Sequence, residues 1–148
     1  MEENIGTMLA QVSRLLRRSF DVRARGIGVT RPQWQVLSLL SFNGGINQGG
    51  LAELLEVEPI TLGRMIDRLQ DAQMVERRPD PTDRRAWRLF LTDKGQQLLD
   101  ELRPFAHETY DIALEGVSEK DRAVVMAALG RMRANLSRRQ SLDVAANG

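Results

Sequence analysis

The chain has 148 residues, of which 42% are hydrophobic, so it is long enough to bury a core as a single domain over residues 1–148. Its 21 basic and 20 acidic side chains nearly cancel, and the net charge of +1 by itself identifies no class of partner. With no cysteine and one histidine, the chain cannot form disulfides, thiol nucleophiles or Cys/His zinc sites. We therefore expect no metal and no cofactor.

The sequence also predicts a location. The N-terminal stretch MEENIGTMLAQ lacks the basic start and long apolar core of a signal peptide. No apolar run is long enough to span a bilayer. We expect a cytoplasmic protein without a membrane partner.

Helical periodicity dominates the first part of the chain. Apolar residues recur every three or four positions over residues 4–25, which predicts a long amphipathic helix. The sequence GIGV (26–29) favours a C-cap and a turn. Thr30-Arg-Pro-Gln33 has the pattern of a capping box and predicts a second helix that ends near Phe42.

Two further helices are predicted on either side of Pro59. A short helix lies within residues 46–58, with Leu51, Leu54 and Leu55 expected to face the core. The tight link Val57-Glu58-Pro59 leads into a fourth helix, which is typical of a helix-turn-helix. The buried stripe predicted for this fourth helix is Leu62, Met65, Ile66 and Leu69, and a second stripe on another face is Thr61, Arg64 and Arg68.

A β-hairpin is predicted directly after the fourth helix. MVERR (74–78) and WRLFL (87–91) have strand character, and PDPTDRR (79–85) between them is rich in turn residues. An arginine-bearing helix followed by an arginine-tipped hairpin suits a DNA duplex. The helix can enter the major groove while the hairpin reaches the backbone or the minor groove. Residues 30–92 are therefore predicted to form a winged helix-turn-helix DNA-binding lobe.

The C-terminal part predicts two more helices, one from 93 to about 116 and one from 119 to about 139, with a frayed tail over 141–148. The apolar stripes of 4–25 and 93–139 lie outside the lobe, which indicates dimerisation helices. The predicted fold is mainly α with a small β-hairpin wing, a winged helix-turn-helix plus a helical dimerisation bundle from both termini. A twofold dimer presents two recognition helices ~34 Å apart, as a pseudo-palindromic operator requires.

Asp83-Arg-Arg85, followed after five residues by Leu91-Thr92-Asp-Lys-Gly95, resembles the wing signature of the MarR family of bacterial transcription regulators. LAELLEVEPITLGRMIDRLQDAQMVERR (51–78) is similar to that family's helix-turn-helix, and the order of helices fits over residues 4–139. The resemblance implies a homodimeric, sequence-specific double-stranded DNA-binding transcription regulator. It also implies a repressor that a small aromatic or phenolic ligand releases.

The resemblance assigns roles to individual positions. Thr61, Arg64 and Arg68 would serve the major groove or its phosphates. Arg85 would enter the minor groove, with Asp83 orienting its guanidinium by a charge-assisted hydrogen bond. The family's ligands often lie between the dimer helices and the DNA-binding lobe, which points to Arg14, Arg17 and Trp34 as ligand-binding residues.

One position departs from the family pattern. Many relatives have a glycine where this chain has Gln73, just after the fourth helix. A residue with a side chain must either adopt the left-handed conformation there or end the helix differently. The entry angle of the wing depends on which of the two occurs.

Structural alternatives remain for several of these residues. Arg64 and Arg68 could be solvated helix arginines with Asp67 and Asp71 as neighbours, and Asp83 could form a local salt bridge in the turn. Trp34, on the first turn of its helix, is favoured as a core residue over a ligand platform.

Two other function classes follow from the sequence. The rival class is a winged-helix protein-interaction module without DNA binding, although Arg64 and Arg85 on the predicted groove-facing surfaces argue against it. An enzyme is not expected, because the chain has no Ser/His/Asp order, metal cluster or phosphate-binding glycine loop.

Overall fold

Residues 2–147, which the computed structural model describes, form helices and one hairpin in the predicted order. The elements are α1 Ile5–Gly26, α2 Arg31–Phe42, α3 Gln48–Leu55, α4 Pro59–Asp71, β1 Val75–Pro79, β2 Trp87–Leu91, α5 Asp93–Ala113 and α6 Glu119–Ala146. The contacts divide the chain into two compact units, of which the first ends at Tyr110 and the second begins at Asp111. Among the described residues, no helix has both the length and the apolar character needed to cross a membrane.

Local hydrogen bonds set where the helices begin. The Asn4 side chain accepts a hydrogen bond from the Thr7 N–H at 3.1 Å, and the Thr7 hydroxyl accepts one from the Asn4 N–H at 2.9 Å. Thr30 starts α2 with the predicted capping box, in which its N–H donates to Gln33 Oε1 at 3.0 Å. These caps satisfy N–H groups that lack a partner within the helix, so the predicted starts are confirmed.

The main core lies between α2, α3, α4 and the hairpin. Its fully buried side chains are Val36, Leu37, Leu40, Leu51, Leu62, Ile66, Leu69, Val75 and Leu89. Each buried aliphatic side chain of this size contributes about 1.5–3 kcal/mol to stability. The buried stripe predicted for α4 is confirmed, with Met65 half-buried beside the other three.

Leu54 was predicted to face this core, and that prediction is wrong. Its side chain is 53% exposed, whereas Leu51 and Ala52 are buried and Leu55 is half-buried. At about 100° per residue, Leu54 points roughly a quarter turn away from the centre of the face formed by the other three. Leu51, Ala52 and Leu55 form the face of α3 that packs on the core, which leaves Leu54 in contact with solvent.

The hairpin is antiparallel and is anchored to the lobe on one side. Val75 pairs with Leu91 and Pro79 pairs with Trp87, so the strands are in register over all five positions. The Leu89 N–H donates to the Ile46 carbonyl at 2.9 Å, which attaches β2 to the segment before α3. This attachment holds the base of the hairpin to the helix-turn-helix and leaves its tip free.

Gln73 adopts the left-handed conformation, with a φ of 61°, so the first of the two alternatives for the missing glycine is the one observed. The Gln73 N–H donates to the Gln70 carbonyl at 2.9 Å, and the Met74 N–H donates to the Leu69 carbonyl at 2.9 Å. This pair of bonds is a Schellman motif, usually closed by glycine. The helix therefore ends as a glycine-capped one would, at a conformational cost.

Gly95, the last residue of the wing signature, is required by close packing. A Cβ atom at this position would lie 2.1 Å from the Met74 carbonyl oxygen. The Gly95 N–H donates to the Thr92 hydroxyl at 3.1 Å, so Thr92 caps the start of α5. The first turn of α5 therefore packs directly on the chain that enters β1.

Both C-terminal helices end at other residues than predicted. α5 ends at Ala113 instead of 116, and Gly116 adopts a φ of 78° in the following turn. α6 continues to Ala146, so the predicted fraying of the tail is wrong up to that residue, and residue 148 lies outside the described part. No proline or glycine lies between 131 and 147 to stop a helix that gains one hydrogen bond per added residue.

Candidate nucleic-acid interface

One face of α4 packs on the core and the opposite face is open. Leu62, Ile66 and Leu69 are buried, whereas Thr61, Arg64 and Arg68 are exposed. Pro59 occupies the first helical position, where its missing N–H removes no hydrogen bond. The structure thus presents the predicted polar stripe along a helix that its core face holds in place.

The arginines on the open face of α4 are not engaged in contacts within the described part of the protein. Among the described residues, the side chains of Arg64 and Arg68 make no hydrogen bond and no ion pair. The Asp67 carboxylate, a candidate partner for Arg64, instead accepts a hydrogen bond from Arg77 at 2.6 Å. Internal pairing of Arg64 with Asp67, or of Arg68 with Asp71, is therefore not what the structure contains.

Arg77 on β1 connects three elements through one guanidinium group. It donates to Gln70 Oε1 at 3.1 Å and to the Gly63 carbonyl at 3.3 Å, both on α4, in addition to Asp67. Its Nε donates to Gln48 Oε1 at 3.2 Å on α3. Only 18% of its side chain is exposed. This side chain sets the position of the wing strand relative to the helix-turn-helix.

The sequence analysis assigned no role to Arg77 and so missed this one. The missed signal is strand alternation, because Arg77 lies two residues after the buried Val75 and so shares its face. Arg78, the next residue, points the other way, pairs with Glu76 and lies 4.1 Å above the centre of the Phe90 ring. Both arginines are thus held within the hairpin.

Asp80 organises the tip of the wing. Its Oδ1 accepts hydrogen bonds from the Thr82 N–H and hydroxyl, both at 2.9 Å, and from the Asp83 N–H at 3.2 Å. Its Oδ2 accepts one from Arg88 Nε at 3.1 Å. The bond from the Thr82 N–H, followed by those from its hydroxyl and from Arg88, lowers the pKa of Asp80 to about 2. The carboxylate therefore stays ionised and holds the turn.

Asp83 contacts Arg85 in another way than expected. Its Oδ1 accepts a hydrogen bond from the main-chain N–H of Arg85 at 2.9 Å, not from the guanidinium. Within the described chain, the side chains of Arg84 and Arg85 have no protein partner, and both residues are exposed. Asp83 therefore shapes the backbone at the tip, and the Arg85 side chain extends from it unpaired.

A cavity of about 340 Å³ lies between α1, α2 and α5. Two of the predicted ligand-binding residues, Arg17 and Trp34, line it, whereas Arg14 does not. Arg103 and Phe20 also line this cavity, and the sequence analysis selected neither of them. The structure thus brings apolar and aromatic surface together with two guanidinium groups.

Asp21 fixes the orientation of Trp34 on this cavity. Its Oδ1 accepts a hydrogen bond from Trp34 Nε1 at 2.9 Å, and its Oδ2 accepts one from Arg31 Nε at 2.6 Å. Burial raises the pKa of Asp21, but the hydrogen bonds from Arg31 and Trp34 outweigh it, so the pKa lies below its ordinary value. The Trp34 ring also meets Phe20 edge to face, with 4.7 Å between ring centres. Trp34 is therefore a half-buried structural residue and a cavity wall at once.

Comparisons with known proteins agree with this architecture. The MarR family model matches residues 29–87. An uncharacterized HTH-type transcriptional regulator, YybA of Bacillus subtilis (strain 168), is 28% identical over 130 residues, which cover 88% of this chain and 87% of that protein. The crystal structure of a MarR transcriptional regulator from Methanosarcina mazei Go1 has 28% identity and a TM-score of 0.79, and covers 90% of this chain and 96% of its own.

The crystal structure of transcriptional regulator PA3341 is also similar, with 33% identity and a TM-score of 0.77 over 91% of this chain and 99% of its own. These matches extend over the helix-turn-helix, the hairpin and the helices on both sides of them. They confirm the predicted fold class and the resemblance drawn from residues 51–95. The chain belongs to the MarR family of transcription regulators.

Proposed function

We propose that this chain is a homodimeric, sequence-specific regulator that binds double-stranded DNA through α4 and the wing tip. The strongest support is that some arginines of this region are bound within the protein and others are not. Arg77, Arg78 and Arg88 are bound within the protein, whereas the guanidinium groups on the open face of α4 and at the wing tip have no partner in the described part of the chain. Unpaired arginines on protruding elements are what phosphates and base edges require.

The roles within this interface follow from the elements that carry the residues. The open face of α4 enters the major groove, where Arg64 contacts a guanine edge and Thr61 and Arg68 contact phosphates or bases. The wing tip lies over the adjacent minor groove, and Arg85 inserts into it. Asp83 supports Arg85 by holding its backbone.

A binding assay separates this proposal from a protein-interaction module that does not bind DNA. The duplex from the promoter beside the protein's own gene is compared with an unrelated duplex of equal length, in a gel shift with nonspecific competitor. We expect retention of the promoter duplex at competitor concentrations that release the unrelated one. Loss of both duplexes at the same competitor concentration would contradict sequence-specific binding.

The proposed dimer rests on the exposed apolar residues of the terminal helices. α1 exposes a stripe comprising Ile5, Met8, Leu9, Val12 and Leu15. α6 contains no buried residue among those described and exposes Val124, Val125, Met126, Leu129 and Leu136. Contiguous apolar surface of this kind marks an interaction site, and a second copy of the chain covers it in this proposal.

Sedimentation tests the assembly. We expect the full chain to sediment as a dimer, and removal of residues 1–20 to give aggregated or unfolded protein because the interface is lost. A truncation that stays folded as a monomer would show that folding does not depend on this interface and would refute this part of the proposal.

We also propose that the protein is a repressor released by a small aromatic acid that binds in the cavity. Phe20 and Trp34 offer ring contacts, and Arg17 meets the carboxylate by a charge-assisted hydrogen bond. Arg103 lines the same cavity but pairs with Asp100 at 2.9 Å. The ligand lowers DNA affinity if it binds preferentially to a dimer with wrongly spaced recognition helices.

Calorimetry with a panel of phenolic acids tests this step. We expect at least one binder whose affinity falls when promoter DNA is present, because coupling between two sites is reciprocal. Arg17→Ala should weaken that binder, and Arg14→Ala, which alters the same helix outside the cavity, is the matched control. Binders that leave DNA affinity unchanged would exclude the allosteric role.

A further inference from the structure

Ile60, the second residue of α4, is an apolar side chain in the middle of the proposed DNA-facing surface. It is 72% exposed. At about 100° per residue, the direction opposite to Leu62, Ile66 and Leu69 passes between Ile60 and Arg64. These two residues lie one turn apart on the same face, with Cβ atoms about 5–6 Å apart. Ile60 therefore lies closer to the centre of the open face than Thr61 or Arg68.

The protein itself gives no reason for a branched apolar residue there. Ile60 is not part of either apolar cluster, and its neighbours on the open face are polar or charged. Isoleucine is a weaker helix former than leucine or alanine. The first turn of a helix favours Asp or Glu, yet α4 has no acidic residue in its first turn. Apart from the exposed N-cap residue Glu58, this end of α4 is therefore free of acids and partly apolar, which suits an approach to DNA.

The major groove contains one apolar group that can pack against such a side chain, the C5-methyl of thymine. The N-terminal residues of a recognition helix are those that reach base edges. We propose that Ile60 is a specificity-determining residue that packs on a thymine methyl beside the base contacted by Arg64. With bases spaced about 3.4 Å apart, this thymine lies roughly one or two base pairs from the Arg64 contact. The inference rests on the proposed function.

Replacing thymine by uracil tests this, because it removes only the methyl group and keeps base pairing. The probe is the tightest duplex selected by the full-length protein from a random library, with each thymine replaced by uracil in turn. We expect one position in each half-site at which uracil lowers wild-type affinity about fourfold, the change expected for one methyl group. With Ile60→Ala, uracil and thymine at that position should bind equally.

Two further variants assign the effect to Ile60. Ile60→Val keeps a branched apolar side chain and should keep the sensitivity to uracil. Thr61→Ser removes the other exposed methyl group of this turn, and sensitivity should persist in this variant. If Thr61→Ser abolishes the sensitivity to uracil and Ile60→Ala does not, then Thr61 contacts the thymine methyl and the inference is wrong.

Two more outcomes would contradict the role proposed for Ile60. A wild-type protein that selects a duplex but responds to uracil at no position refutes the role of Ile60 and leaves the proposed function standing. A protein that selects no duplex contradicts both. Thermal denaturation of each variant checks the fold, which should be unchanged because this side chain makes no core contact.

Discussion

Arg77 of β1 and Asp67 of α4 form an ion pair, with 2.6 Å between Nη1 and Oδ1, that joins the wing strand to the proposed recognition helix. The same guanidinium contacts the Gly63 carbonyl and, on α3, Gln48. One side chain thus fixes the relative position of the two surfaces proposed to contact DNA. The charge of Arg77 is paired within the protein, whereas the side chain of Arg85 is exposed.

We predict that Arg77→Met lowers both stability and DNA affinity without changing the salt dependence of binding. Loss of its hydrogen bonds should lower the free energy of unfolding by about 2 kcal/mol. The effect is modest because part of the network is exposed and each hydrogen bond makes only a small net contribution to stability. Affinity falls because α4 and the wing no longer hold their relative position. The slope of log affinity against log salt should stay the same, because Arg77 displaces no counterion.

Arg85→Met is the matched control, with the opposite expected pattern. The stability of this variant should stay within about 0.5 kcal/mol of wild type, because the Arg85 side chain is exposed and has no partner among the described residues. The slope of log affinity against log salt should become smaller. Arg77→Lys keeps the charge but not the planar fork and should not restore affinity. A lower salt slope with unchanged stability in Arg77→Met would show that Arg77 contacts phosphate instead.

Arg64 and Arg85 should affect DNA recognition differently, because the two grooves carry different information. Arg64→Ala should relax discrimination at one base pair of each half-site by about 1–3 kcal/mol. Arg85→Ala should weaken binding chiefly on A·T-rich flanks, whose narrow minor groove attracts arginine. In the dimer, its loss should reduce the salt slope by roughly two units.

A salt titration of wild type and both variants on duplexes with A·T-rich or G·C-rich flanks measures these differences. Equal losses on the two flanks, with an unchanged slope, would mean that Arg85 is a turn residue only.

Gln73→Gly should stabilise the protein by about 0.5–1 kcal/mol. Gln73 has a φ of 61°, which costs a residue with a Cβ atom about 1–2 kcal/mol, partly offset by the greater freedom of glycine in the unfolded chain. Thermal or urea unfolding measures the change. Glu53→Gly, which also introduces a glycine but within the right-handed helix α3, should destabilise by about 1 kcal/mol. A destabilised Gln73→Gly would reveal a packing role for the Gln73 side chain.

The wing tip should lose stability in acid through Asp80. Its pKa is about 2 in the folded protein, below the value of about 3.9 for an unfolded aspartate. The stabilising contribution is therefore fully present above about pH 4 and is lost as the pH falls through 4 towards 2. Asp80→Asn should be less stable than wild type at neutral pH, and the difference should shrink across this window. A difference that stays constant down to pH 2 would exclude the ionised carboxylate as the cause.

Features that depend on near neighbours in the chain could be read from the sequence. Four such features are local: the Thr30 capping box, the Pro59 helix start, the buried stripe of α4 and the two strands. Each is found where it was predicted, except that the first strand begins and ends one residue later. Gln73 belongs with them, because the conflict between a side chain and a glycine position is visible without a structure. The wing signature then added the family, which the comparisons confirm.

Tertiary structure alone decided which arginines are free. Arg64 and Arg77 look alike in sequence, because each has an aspartate three residues further along the chain, Asp67 and Asp80 respectively. Folding places Asp67 beside Arg77, ten residues away, and leaves Arg64 without a partner among residues 2–147. The same holds for Asp21, whose importance depends on Arg31 and Trp34 in the next helix, and for Leu54, which a narrow core contact leaves exposed. Periodicity and capping act within a few residues, whereas the pairing of a charge depends on which atoms the packed elements bring within about 3 Å.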